Sequence, residues 1–419
     1  MSSQSPDARC SEYSLGTGRL SLRIDRRLSS APSELFRIAE RQNPKRAFLF
    51  VSTLLGRHIP VAPSEHRKAL SALADEVMPK VGSGHVLVMS YAETAIGLGM
   101  GIFEEISDRA PTAHSVSYLP TTRSQTRGAS VWLETCEAHS HAVGHMVLDP
   151  EPGTIPSGED TTLVLVDDET TTGDTFQDLA ASLHRAGVSV DRVILVTLTD
   201  WSNGQADKVV AESMPGTKVS IVSLLSGQYT WSSFSGVPPR ALPTHCPSTI
   251  PPWQPDLRFT MSVPRTGISK EKMTENQRVW SLLVDNLFIR GLEIGSRVLV
   301  IGTGEHVWHP FKAAEQIEQA GFEAGFISTT RSPVMKGETI EHQIAFPDHY
   351  GLGIWMYLNN VNPDDWDDIV LITETAAAGV PQSLRSALGK GSIMDREWIV
   401  VPMSDKTPAF SQITEENNA

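Results

Sequence analysis

The sequence is poor in cysteine: Cys10, Cys136 and Cys246 are the three it has in 419 residues, far apart and odd in number. That excludes a disulfide framework and a Cys-x-x-Cys metal knuckle, and it fits a reducing, cytoplasmic compartment. No apolar run reaches the roughly 18–20 residues of a membrane span. The segment from Met1 to Ser14 is too polar for a secretory signal, so no membrane association is expected. A basic excess is also lacking. Lys+Arg total 35 against 49 Asp+Glu, a net charge of −14. A nucleic-acid partner, which needs a cationic surface to displace counterions, is not expected. What remains is a globular balance of 40% hydrophobic and 20% charged residues, in a chain long enough for two or three domains.

Residues 1–45 are polar and rich in Ser and Arg, with one apolar patch at Leu35-Phe36-Arg37-Ile38, and read as a partly ordered extension. Short apolar runs at residues 47–51, 85–89, 115–119, 163–166 and 193–198 read as buried strands. Between them, residues 64–77 and 176–185 carry helical periodicity, the first started by Pro63 and the second stopped at Ala186-Gly187. Strand–helix alternation with continuously apolar strands predicts an α/β fold, a doubly wound parallel sheet covered on both faces. Residues 223–256 are rich in Pro, Ser and Trp and read as a linker. The alternation resumes over 257–405, and 406–419 reads as a polar tail.

The second half repeats the first. Val86-Leu87-Val88-Met89 with Ser90-Tyr91-Ala92-Glu93 matches Val298-Leu299-Val300-Ile301 with Gly302-Thr303-Gly304-Glu305. Thr121-Thr122-Arg123-Ser124 matches Thr329-Thr330-Arg331-Ser332, and Leu165-Val166-Asp167-Asp168 matches Leu371-Ile372-Thr373-Glu374. The offsets, 212, 208 and 206 residues, are nearly constant. Two tandem domains of one fold are expected, residues 46–222 and 257–405. The second is degenerate: where the first has two acids and three threonines before Gly173, it has Thr373, Glu374 and three alanines before Gly379.

The most informative segment is Leu163-Val164-Leu165-Val166-Asp167-Asp168-Glu169-Thr170-Thr171-Thr172-Gly173-Asp174-Thr175. A buried strand delivers two carboxylates at its C-terminal end, where open α/β sheets bind ligands. A Thr-rich turn then opens a helix, whose N–H groups and hydroxyls cradle a phosphate. The implied ligand is a sugar 5-phosphate, with its hydroxyls on Asp167 and Asp168 and its phosphate on Glu169, Thr170, Thr171, Thr172, Gly173, Asp174 and Thr175. The segment resembles the PRPP-binding signature of type I phosphoribosyltransferases, departing from it at Glu169 and Thr170, where that family usually has aliphatic residues. Together with Phe48-Leu49-Phe50-Val51-Ser52, Leu55-Gly56-Arg57-His58-Ile59-Pro60 and Thr330-Arg331-Ser332-Pro333, it resembles the phosphoribosyltransferases of tellurium-resistance-associated biosynthetic clusters, which carry a C-terminal TRSP domain.

The resemblance implies further parts of a site. Ser90, Tyr91, Ala92, Glu93 and Thr94 are expected at the diphosphate, with Mg²⁺ held through PRPP oxygens and water and no metal held by protein ligands alone. Arg123 and Arg127, on a polar loop ending in Gly128, are expected to meet the leaving group. Asp167, Asp168, Arg123 and Arg127 form the expected catalytic set. His139, His141 and His145 are open to three readings: base or diphosphate contacts, a metal site, or structural histidines. In the second domain Glu305, Arg331, Ser332 and Glu374 are candidate polar groups, either of a second site or of a domain that caps the first. The resemblance implies an enzyme joining PRPP to a nitrogenous base to form an N-riboside 5′-phosphate, in a nucleoside-like pathway linked to tellurium resistance. A PRPP-sensing regulator and a lyase or phosphorylase running in reverse are the alternatives. The expected partners are small molecules, and the resemblance admits a homodimer and partner enzymes of the same gene cluster.

Overall fold

The computed structural model describes residues 9–41, 46–111, 114–124, 126–135, 145–158, 160–234, 263–273, 277–395 and 400–403. The first half runs β1 (Arg9–Leu15), β2 (Gly18–Arg27), β3 (Phe36–Glu40), β4 (Phe48–Ser52), α1 (Pro63–Val77), β5 (Val86–Ser90), α2 (Ile96–Arg109) and β6 (Val116–Pro120). It continues with β7 (Val131–Thr135), β8 (His145–Leu148), β9 (Thr162–Val166), β10 (Glu169–Thr170), α3 (Asp174–Arg185), β11 (Arg192–Asp200), α4 (Ala206–Ser213) and β12 (Lys218–Ser233). The second half runs β13 (Ile268–Ser269), α5 (Gln277–Ile289), β14 (Arg297–Gly302), α6 (Trp308–Gln319), β15 (Glu323–Ser328), β16 (Gln343–Pro347), β17 (Trp355–Asn359), β18 (Asp368–Ile372), α7 (Gln382–Leu388), β19 (Ser392–Met394) and β20 (Val400–Pro402).

The first sheet has the order β1-β2-β12-β11-β9-β5-β6-β13, with β10 beside β11. Its centre, β12 to β6, is parallel throughout. Alternate residues of the central strands enter opposite cores: Val86, Val88, Val164 and Val166 face one side, Leu87, Met89, Leu163 and Leu165 the other. Such strands are apolar on both faces because helices cover both. On the second side, α3 buries Phe176, Leu179, Ala180 and Leu183, the i, i+3, i+4, i+7 stripe of an amphipathic helix.

The second sheet, β15-β14-β18-β19-β20, repeats that plan. Its first four strands stand in the order of β6-β5-β9-β11 and are parallel. The sequence repeat is therefore a repeat of topology, and the chain is two tandem α/β units of one plan. They share a core. Val298, Val300 and Val370 pack into the same apolar cluster as Val86, Val88 and Val164, with α1, α2 and α6 between the sheets.

Three expectations about organisation change. Residues 1–45 are more than an extension: β2 pairs with β12 and adds a hairpin to the first sheet, because Leu20 and Leu22 are buried at alternate positions. The strand expected at 47–51 pairs with β3 in a separate ribbon, outside the parallel sheet. Of the segment expected as a linker, residues up to Ser233 continue β12, while residues 235–262, with Cys246, lie outside the described residues, as does Cys136. Beyond it, β13 returns to pair with β6 of the first sheet before the second unit begins. Among the described residues, no helix is long and apolar enough to cross a membrane.

Candidate active site

Strand β9 ends at Val166, and the acids follow at the C-terminal edge of the first sheet, as the apolar run and its termination predict. Asp167 is anchored by its own N–H to the Val196 carbonyl at 3.0 Å, and its Oδ1 accepts the Asp168 N–H at 2.9 Å. Burial raises the Asp167 carboxyl well above the usual aspartate range, and the neighbouring Asp168 charge pushes the same way. Asp168 is also raised by burial, against the opposing pull of its hydrogen bond to Asp167 and of Arg46 and Arg57. Two adjacent, half-buried acids facing a cleft want partners, and vicinal hydroxyls supply them.

The turn after β10 is a cradle of unused donors. Among the described residues, the N–H groups of Thr171, Thr172 and Gly173 make no hydrogen bond. The first N–H groups of α3, except that of Asp174, which reaches the Thr172 hydroxyl at 3.3 Å, have no partner by helix geometry. Gly173 makes the turn possible: its φ is +94°, and a Cβ there would lie 2.8 Å from the Ala206 Cα. The cleft is lined by Asp167 to Gly173, Thr175, Phe176 and Arg46. Asp174, expected in the cradle, is exposed and outside that lining.

Glu169 departs from its expected role. Its carboxylate accepts from Arg46 at 2.7 Å, in a half-buried ion pair roofing the cleft. Burial raises its affinity for a proton and Arg46 opposes this. The guanidinium also lies 4.9 Å from the ring centroid of Phe48, the first residue of β4. Sequence reasoning missed Arg46, since its neighbours are polar and it falls at an expected domain boundary.

The loop after β5 is committed in its side chains and open in its backbone. The Ser90 hydroxyl bonds Tyr118 Oη at 2.7 Å, and Tyr91 Oη donates to the Thr175 carbonyl at 2.9 Å, which ties this loop to the cradle. These two hydroxyls, expected at the diphosphate, are used internally because both residues are buried. Ala92 N–H donates to the Thr121 hydroxyl at 2.9 Å. The N–H groups of Glu93 and Thr94 make no hydrogen bond among the described residues, so they are the donors an anion would meet.

Arg123 sits beside that loop. Its Nε reaches the Ala92 carbonyl at 3.3 Å, and an Nη lies 3.1 Å from His145 Nε2. Arginine can only donate, so Nε2 accepts and the His145 proton is on Nδ1, 3.0 Å from the Thr121 hydroxyl. His145 thus orients the arginine loop. His139 and His141 lie outside the described residues. Arg127 is exposed and lines neither this region nor the acid cleft.

The second unit reaches into the same place. Glu305 Oε2 accepts the Thr122 hydroxyl and Oε1 accepts the Arg123 N–H, both at 2.7 Å. Arg265 bridges Glu305 and Glu374, with its side chain 1% exposed. Burial works against that guanidinium's charge, but the two carboxylates more than offset it and raise its pKa. Arg57, buried between the units, donates to the carbonyls of Gly304, Thr329 and Glu93. Of the second-domain candidates, Glu305 and Glu374 are consumed in this junction, while Ser332 closes its own turn on the Thr330 hydroxyl. The sequence signal for Arg57 and Arg265 is slight: one cation each in an apolar or Pro-rich setting.

A family model described as "Phosphoribosyl transferase" matches residues 35–228, and one described as "TRSP domain C terminus to PRTase_2" matches residues 263–387. No curated protein matches the chain. Among solved structures, adenine phosphoribosyl transferase from Trypanosoma brucei is 12% identical, over 45% of this chain and 76% of that one, with a TM-score of 0.30. Adenine phosphoribosyltransferase from Leishmania donovani is 17% identical, over 46% and 76%, with a TM-score of 0.30. Orotate phosphoribosyltransferase from Aeropyrum pernix is 19% identical, over 45% and 87%, with a TM-score of 0.27. The two family matches cover both halves of the chain, and the first spans the acid pair and the cradle: the chain belongs to the phosphoribosyl transferase family, as an enzyme whose transferase domain is followed by a TRSP domain.

Proposed function

We propose that the enzyme moves the phosphoribosyl group of PRPP to a ring nitrogen of a base, and that the transfer takes place in the first unit. The observation that carries the reading is the pairing of two half-buried acids with a cradle of unused N–H donors at one strand end. Asp167 and Asp168 accept the ribose hydroxyls. Thr171, Thr172, Gly173 and Thr175 hold the 5-phosphate at the positive end of α3. The Glu93 and Thr94 N–H groups and Arg123 face the diphosphate. The C1–oxygen bond to diphosphate breaks as the nitrogen bonds C1 from the opposite face. Charge develops on the leaving oxygens, where fixed cations and N–H groups lower the barrier.

Among the described residues, no three His, Cys, Asp or Glu side chains converge as a metal-binding group. The acids present fit Mg²⁺ carried by substrate oxygens and water; bound there, it would neutralise diphosphate charge. Thr171 cannot take a proton from the acceptor. Glu169, whose proton affinity is raised by burial, is the acid at the cleft suited to do so.

Isothermal titration of PRPP with Mg²⁺ into the wild type and the Asp167→Asn/Asp168→Asn variant tests the reading. Saturable binding that the variant loses is expected. No binding to the wild type would remove it.

A further inference from the structure

The two units present equivalent loops to each other across their junction. Glu93 follows β5 as Glu305 follows β14, and Arg123 follows β6 as Arg331 follows β15. Each glutamate faces the other unit's arginine loop. One crossing is closed: Glu305 takes the Thr122 hydroxyl and the Arg123 N–H at 2.7 Å. The other is open. Arg331 Nε stands 3.7 Å from Glu93 Oε2, beyond hydrogen-bond reach, and Arg331 makes no hydrogen bond among the described residues. The open crossing lies in a cleft that Arg123 also lines.

We infer that Arg331 of the TRSP domain binds the diphosphate of the substrate held by the first unit, and that Glu93 is the anion this diphosphate displaces. The inference rests on the phosphoribosyl reading above. The charges in the cleft favour it. Arg265 is neutralised by Glu305 and Glu374, and Glu93 is the carboxylate that faces Arg331. A carboxylate at 3.7 Å is a weak partner for a guanidinium, and a diphosphate offers several oxygens for charge-assisted, bidentate contact. The setting strengthens that contact. The side chains of Arg331 and Glu93 are 28% and 13% exposed, and Leu352, Ile354 and Met356 supply an apolar wall. Attraction between charges rises as water is excluded. The Glu93 and Thr94 N–H groups, on the same loop as the displaced carboxylate, have no partner within the described residues. An anion arriving there would meet donors from both units.

The test titrates inorganic diphosphate with Mg²⁺, PRPP with Mg²⁺, and ribose 5-phosphate into the full chain and three variants. Arg331→Gln is expected to weaken diphosphate and PRPP about tenfold or more, the loss of a charge-assisted contact, and to leave ribose 5-phosphate unchanged. Arg331→Lys keeps the charge and is expected to keep most of the affinity, which separates binding from misfolding. Glu93→Gln is expected to tighten inorganic diphosphate severalfold, because it frees Arg331. A merely structural pair would make Arg331→Gln and Glu93→Gln act alike. Unchanged diphosphate affinity in Arg331→Gln, or weaker diphosphate binding in Glu93→Gln, overturns the inference. So does a wild type that binds ribose 5-phosphate and no diphosphate. A wild type that binds neither PRPP nor ribose 5-phosphate overturns the phosphoribosyl reading itself.

Discussion

Arg265 donates both terminal nitrogens to Glu374, at 2.7 and 2.8 Å, and the two side chains are 1% and 0% exposed. Glu374 stands in the second unit where Asp168 stands in the first, at the end of the equivalent strand. The position that offers a hydroxyl acceptor in one unit is an internal anchor in the other. This argues for a second unit that completes the first site over one that runs chemistry of its own. Removing the anchor leaves two buried carboxylates without their cation. Arg265→Met is expected to cost about 3–5 kcal/mol, the usual loss when one partner of a buried ion pair is deleted. Urea unfolding at neutral pH would measure it, and a loss under 1 kcal/mol would mean the network is dispensable.

Asp167 sets binding against stability. Its folded pKa is raised by burial, so the folded chain holds that proton more tightly than the unfolded chain does. Stability is therefore gained as pH falls through the raised value and lost as pH rises through it. Asparagine cannot ionise and avoids that loss. Asp167→Asn is expected to melt above the wild type at neutral pH, with the advantage vanishing below the ordinary aspartate range. The same variant is expected to bind PRPP roughly 10- to 100-fold more weakly, since hydrogen bonds to a charged group are worth about 1.5–3 kcal/mol. Melting curves across pH, with titrations at one pH, check both signs. A lower melting point at neutral pH would show the carboxylate to be stabilising.

The sequence carried the elements whose signals are local. The strands at 86–90 and 162–166 were legible because both faces are buried, which forces unbroken apolar runs. The acid pair and the Thr-rich turn follow from one contiguous segment. The repeat was legible as three matched segments at nearly constant offsets, and the second sheet follows the strand order of the first. What was not legible is long-range: that β12 extends past 222 to pair with β2, that Arg46 engages Glu169 across 123 residues, and that Ser90 and Tyr91 spend their hydroxyls inward. Each depends on which surfaces meet, and composition does not encode that. His145 was visible as one of a histidine cluster, yet its task, orienting Arg123, appears only once β8 is placed beside the loop after β6.

Gly173 is expected to tolerate no side chain. Its φ of +94° and the 2.8 Å approach of an added Cβ to the Ala206 Cα predict that Gly173→Ala loses about 1–3 kcal/mol. The turn must shift to relieve the clash, so the N–H groups of residues 171–173 lose their convergence. Ribose 5-phosphate affinity should fall with stability. Inorganic diphosphate affinity, set by the loop after β5, should hold. Loss of both ligands in step would mean the variant is disordered more widely.

The two equivalent glutamates are expected to respond with opposite signs. Glu305 holds the arginine loop from behind, through the Thr122 hydroxyl and the Arg123 N–H, and shares the Arg265 charge. In Glu305→Gln one carboxylate oxygen becomes an amide nitrogen, which cannot accept, so at least one of those donors loses its partner. The expected cost is about 1–3 kcal/mol of stability, the penalty for an unsatisfied buried group, with diphosphate bound more weakly because Arg123 is no longer held in place. Glu93 faces its arginine at 3.7 Å with no hydrogen bond to lose, so the same substitution there should tighten diphosphate. Ribose 5-phosphate, which reaches neither crossing, should bind both variants as it binds the wild type. One set of titrations reads all three ligands. If Glu305→Gln bound diphosphate as tightly as the wild type while losing stability, the second unit would be a structural support with no part in placing Arg123.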